Sequence, residues 1–127
     1  MHILLDTHIL LWAMYDSAQL SEQSKDILTD DNNIFYYSHA SIWEVSIKNT
    51  VGKLEVVASD FMNDCELMGF HQLPILKEHI LFVDKLQLNH RDTFDRLLIS
   101  QAEVENYRFL TEDKKIQKYD NKSIIKL

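Results

Sequence analysis

The chain has one cysteine, one proline and two glycines in 127 residues. A lone thiol, Cys65, cannot close an internal disulfide, which excludes a disulfide-stapled secreted scaffold and points to a reducing compartment. With so little glycine and proline there is no material for a linker, so residues 1–127 are expected to form one domain. Long apolar runs are missing too. Runs such as Ile9 to Ala13 and Ile34 to Tyr37 fall far short of the roughly 20 residues that cross a bilayer. The amino terminus, Met-His-Ile-Leu-Leu-Asp, carries neither a basic stretch nor a small-residue cleavage site, and a cytoplasmic protein without membrane association is expected. Excess positive charge is also absent. At net −7 and a pI near 5.2, the surface has the wrong sign to grip nucleic acid broadly. Any such contact must be local or carried by metal ions.

What is present is an ordinary 46% of hydrophobic residues, enough for a real core. Ile3-Leu4-Leu5 predicts a buried strand ending at Asp6-Thr7, after which Ile9, Leu10, Trp12 and Ala13 recur at helical spacing. Ser21 followed by Glu22 predicts the start of a helix reaching Leu28. Ile34 to Tyr37 reads as a second buried strand, and Ile42, Val45 and Ile47 as a helix that stops at Gly52. Asp60 to Met68 looks helical, with Cys65 a buried structural thiol. Phe70 to Ile75 is a weak third strand, and Lys77 to Lys85 a short helix. Phe94, Leu97, Leu98, Gln101 and Ala102 share one helical face. Tyr107 to Thr111 predicts a strand, followed by a short helix and a small strand over Ser123 to Leu127. Strand and helix alternate, which predicts an α/β fold: a three-layer α/β/α sandwich around a central parallel sheet.

The acids fall at one edge of that sheet. Ligands of open parallel sheets bind beyond the carboxyl ends of the strands. Asp6 closes the first predicted strand, Asp113 follows the Tyr107 to Thr111 strand, Glu44 lies in the first turn after the second strand, and Asp92 and Asp95 open a helix. Each has a local alternative. Ser41-x-x-Glu44 fits a capping box, Asp92 and Asp113 fit helix caps, and Asp95 fits the helix dipole. Jointly these alternatives do not explain the convergence. Two carboxylates about 6 Å apart repel by roughly 3 kcal/mol at an effective dielectric near 20. Four would approach the whole stability of a small domain, about 5 to 15 kcal/mol. Something positive must neutralise them. Oxygen donors without a Cys or His set favour Mg²⁺ or Mn²⁺ over zinc.

The stretches "LLDTHILLW" (4–12), "SHASIWEVSIKNTVGKL" (38–54), "LPI" (73–75), "HRDTFDRLLISQAEVE" (90–105) and "FLTEDKKIQKY" (109–119) resemble PIN-domain nucleases, in particular the VapC-like toxins of bacterial type II toxin–antitoxin pairs. The resemblance implies a PIN-like fold and a Mg²⁺- or Mn²⁺-dependent endoribonuclease. Its catalytic and metal-binding acids carry over onto Asp6, Glu44, Asp95 and Asp113, with Asp92 an additional acid that shares or takes the Asp95 role. The family's usual Asp-Pro-Phe-Asp is here Asp92-Thr-Phe-Asp. The resemblance also implies a cognate antitoxin and a homodimer.

In that reading no side chain acts as nucleophile, because the ion activates water for in-line attack on the phosphodiester. Thr7, Arg91 and Arg96 are candidates for holding substrate phosphate. Thr7 has a helix-capping alternative and Arg96 a structural ion pair. Lys48, Lys53, Lys114 and Lys115 are candidates for steering RNA. His90, beside the acidic helix mouth, is the least ordinary of the six histidines. Trp12, Trp43, Tyr36, Tyr37 and Met14 line a partner groove or pack in the core, the latter favoured. Two rivals stand. A phospho-accepting receiver domain would want an aspartate closing its central strand, where the third strand here ends Leu73-Pro74-Ile75. The other is a catalytically inactive PIN-like module that binds RNA or protein.

Overall fold

The computed structural model describes residues 1–86 and 89–127. Among them, four parallel strands form one sheet: β1 (His2–Leu5), β2 (Ile34–Ser38), β3 (His71–Leu73) and β4 (Arg108–Leu110), in the order β3-β2-β1-β4. Around the sheet lie α1 (Thr7–Tyr15), α2 (Glu22–Leu28), α3 (His39–Thr50), α4 (Ala58–Leu67), α5 (Lys77–Phe82), α6 (Thr93–Glu105) and α7 (Lys114–Gln117).

Alternation along β1 divides the core. Ile3 and Leu5 face one side with Ile9, Leu10, Phe35, Tyr37, Val45 and Phe61. Leu4 faces the other with Leu97, Leu98, Ala102, Phe109 and Ile116. All three β1 residues are fully buried, as expected for a parallel strand with helices on both faces. The predicted three-layer sandwich is therefore the architecture found. Cys65 is buried in α4 against the first of these faces, and burial, with Asp64 and Glu66 beside it, pushes its thiol up to about 12. An inert structural thiol is the result.

Three predicted boundaries change. The helix after β2 starts at His39 with Ser38 as its N-cap, whose hydroxyl accepts from the Ala40 N–H at 2.9 Å. The strand passes directly into the helix, so Glu44 lies in its second turn and the expected capping box with Ser41 does not form. The 77–85 helix is α5 followed by a 3₁₀ turn over Val83–Lys85. The expected strand over 123–127 is one parallel bridge, Ile124 to Phe109. Beyond it the Gln117 side-chain amide donates to the Ile125 carbonyl at 2.8 Å and accepts from the Leu127 N–H at 3.1 Å, taking the groups a ladder would use.

α6 ends on Asn106 in the left-handed region, φ 59°. Asparagine tolerates this conformation and most residues do not. Asn106→Ala is expected to cost about 1 kcal/mol, and Asn106→Gly nothing, in urea unfolding midpoints.

Candidate active site

The chain order across the sheet reverses between β1 and β4, the two strands that precede Asp6 and Asp113. Crevices of open parallel sheets form at such switch points. Asp6 continues the ladder, its N–H donating to the Leu110 carbonyl at 3.0 Å. It occupies the N-cap position of α1, yet its carboxylate makes no capping bond. Instead Oδ2 accepts from the Thr111 hydroxyl at 2.6 Å. Thr111 Oγ1 also accepts from the Asp113 N–H at 3.1 Å. One hydroxyl thus ties the residue after β1 to the segment after β4. Asp6 is 3% exposed. Its carboxyl titrates above the ordinary range, chiefly because of burial, with Glu44 adding to the rise while the Thr111 bond and His8 oppose it.

Asp95, in the first turn of α6, faces the same charge. Burial first and the Asp6 carboxylate second push its carboxyl up to about 7, against the hydrogen bond from His90. That bond joins His90 Nε2 to Asp95 Oδ2 at 2.8 Å. Asp92 caps α6 through its Oδ1, which accepts from the Asp95 N–H at 2.9 Å. Glu44, buried on α3, pairs with Lys48 at 2.9 Å. Asp113 caps α7, accepting from the N–H groups of Lys115 and Ile116. Asp6 is thus within electrostatic reach of both Glu44 and Asp95, and the backbone of Asp113 is tied to Asp6 through Thr111. The positive charge expected of a metal is partly supplied by Lys48, His90 if protonated, and the α7 amides. Among the described residues, no three His, Cys, Asp or Glu side chains stand close enough together to enclose an ion.

A polar cleft of about 570 Å³ opens beside these acids, lined by His90, Arg91, Asp92, Asp95, Asp113, Lys115, Lys118 and Tyr119. Arg91 is exposed and lines this cleft. The two other candidate phosphate contacts are placed differently. Thr7 is fully buried with its hydroxyl 2.8 Å from the Ser41 hydroxyl, and the N-cap position of α1 belongs to Asp6. The Arg96 guanidinium donates to the carbonyls of His90 and Val83, fastening the segment that precedes α6. Of the aromatic set, Tyr37 is core, Trp12 and Met14 are partly buried against it, Tyr36 stacks on Tyr107 at 4.4 Å, and Trp43 is half exposed, edge-on to Phe94. Thr111 escapes a reading of the sequence because a threonine ending an apolar strand is ordinary. The Thr-x-Asp spacing after β4 is the one signal that marks it.

Acidic groups gather at the switch point of this parallel α/β/α sandwich, beside a cleft that Asp92, Asp95 and Asp113 line. The PIN domain profile matches residues 3–122, and the chain belongs to the PIN domain family, whose members are generally nucleases. Comparison with curated proteins returns no match. Among solved structures, a chain of VapBC2 from Rickettsia felis, crystallised with a DNA fragment from the promoter, is similar in fold. Its TM-score is 0.71 at 15% sequence identity, over 100% of this chain and 99% of that one.

Proposed function

We propose that residues 1–127 act as one PIN-like unit, a Mg²⁺- or Mn²⁺-dependent endoribonuclease that serves as the toxin of a type II toxin–antitoxin pair in the cytoplasm. The observation that carries this reading is the pair Asp6 and Asp95: one buried and one partly buried carboxylate facing each other's charge, both titrating above the ordinary range, with burial the main cause and neighbouring carboxylate charge adding to it. Carboxylate charge crowded in this way and only partly balanced by its neighbours is what a dication relieves. Asp6, Glu44, Asp95 and Asp113 offer the oxygen donors a hard ion takes, with Asp92 at the rim, and they would have to draw closer together than they stand here to enclose one.

A bound divalent ion supplies water activation and positive charge at the phosphate. The chain's own groups do the rest. Thr111 holds one oxygen of Asp6, and His90 holds one oxygen of Asp95. The helix amides fix Asp113. Arg91, Lys115 and Lys118 line the cleft and attract the phosphates of a single strand, whose backbone bends into a recessed site more readily than a duplex. The fold likeness to a VapBC2 chain accords with the toxin assignment and a cognate antitoxin; the homodimer rests on the resemblance of the sequence alone. No helix of the described residues is long and apolar enough to cross a membrane.

Incubating the purified protein with single-stranded RNA should give cleavage with Mn²⁺ or Mg²⁺ and none in EDTA. Cleavage that survives chelation, or none with either cation, overturns the assignment. Thr111→Val leaves Asp6 without its donor and the Asp113 N–H without its acceptor. It should lower stability by about 1–3 kcal/mol and cleavage by about 10–100-fold, read from urea melts and initial rates.

A further inference from the structure

A second depression, of about 320 Å³, lies along α1, shares no lining residue with the acidic cleft, and is lined by residues that include His8, Trp12, Tyr15, Lys48 and Lys53. It meets the acids twice. Lys48, in its wall, is the partner of Glu44 at 2.9 Å. His8 follows Asp6 by two residues and lies near enough for its charge to favour the ionised Asp6. The His8 and Trp12 rings are 5.8 Å apart, tilted by 47°. Apolar ring surface beside flexible cations is the composition that holds single-stranded nucleic acid, with bases on the rings and phosphates on the lysines. The volume lies at the small end of ligand sites, room for one base and too little for a paired duplex. Asp16, on the same wall and bonded by the Gln19 side-chain amide at 2.6 Å, repels an anion locally and leaves the lysine side for phosphate.

We propose that this depression is a subsite for one unpaired nucleotide flanking the scissile phosphate, its base against Trp12 and His8 and its phosphate on Lys53 and Lys48. The proposal rests on the ribonuclease reading above. It gives the strand a path from the α1 depression, across Asp6 and Glu44, into the cleft of Asp95 and Asp113. Selection for an unpaired base then follows from the shape of one wall.

The chain has two tryptophans, so Trp43→Phe leaves Trp12 as the sole reporter, and Asp95→Asn added to it stops turnover. An eight-nucleotide oligouridylate titrated in Mg²⁺ should quench Trp12 emission, and Lys53→Glu should weaken that binding about tenfold. A duplex of equal length should leave Trp12 unchanged. RNA that binds by anisotropy of an end label while Trp12 stays silent and Lys53→Glu has no effect overturns the subsite; a groove built for a protein segment would give that result. If the parent protein neither binds nor cleaves RNA, the ribonuclease reading falls and the subsite with it. Cleavage that persists with a silent Trp12 removes the subsite alone.

Discussion

Asp6→Asn should abolish RNA cleavage, by at least about 10³-fold, while the protein stays folded and its melting temperature is unchanged or higher. Removing a group one shell away from a metal typically costs 10–100-fold, so losing a central carboxylate costs more. Stability moves the other way because Asp6 is 3% exposed and burial disfavours its charge. Asparagine keeps an oxygen for the Thr111 hydroxyl, which now donates at 2.6 Å, and removes the ion from the core. Circular dichroism melts and single-turnover cleavage, measured on one preparation, check both halves. Full activity in Asp6→Asn would remove this residue from the chemistry. A lowered melting temperature would mean that its charge is compensated in the folded protein.

Without divalent cations, stability should decline as pH rises from about 4 through about 7. The Asp95 carboxyl is pushed up to about 7 from 3.8, burial first and the Asp6 charge second. Its folded pKa exceeds the unfolded one, so between those values the native state holds more protons than the unfolded chain. The contribution is full below the unfolded pKa and lost as pH climbs through the folded one. Asp6 is raised for similar reasons and acts in the same direction. A tenfold difference in proton affinity corresponds to about 1.4 kcal/mol, so Asp95 gives an effect on the order of a few kcal/mol. The measurement is the difference in unfolding free energy between the parent and Asp95→Asn, in EDTA, from about pH 4.5 to about pH 7.5. The parent should lose ground to the variant as pH rises. Saturating Mg²⁺ should return about 2.7 kcal/mol at a hundredfold excess over its dissociation constant. Parallel curves with no cation effect would show that the Asp95 charge is already balanced.

The layers of this fold are legible in the sequence because the strands are short apolar runs between helices, and several helices begin at a recognisable cap. Ser21, Asp92 and Asp113 all accept from the amides expected of N-caps. For Asp92 and Asp113 the capping and site readings are compatible, since both residues also line the polar cleft. Glu44 is the ambiguous case. Ser41-x-x-Glu44 has the spacing of a capping box, but β2 hands over to α3 without a loop, so the cap falls three residues earlier on Ser38. Distant pairings leave no local trace. Thr111 and Asp6 lie 105 positions apart, and nothing near either residue announces the other. Gln101 reads as one more position on the apolar face of α6, yet its side chain accepts from the Ser38 hydroxyl at 2.5 Å and donates to the Pro74 carbonyl at 3.3 Å. Buried polar bridges of this kind depend on which elements meet, which periodicity does not encode.

The backbone amide of Asp6 is a rung between the two strands at the seam of the sheet. Asp6 therefore cannot loosen unless β1 and β4 separate. Its amide proton should exchange with solvent as slowly as those of Leu4 and Leu5, through large-scale opening and not through local breathing. The geometry of the candidate site and cooperative folding then share one clock.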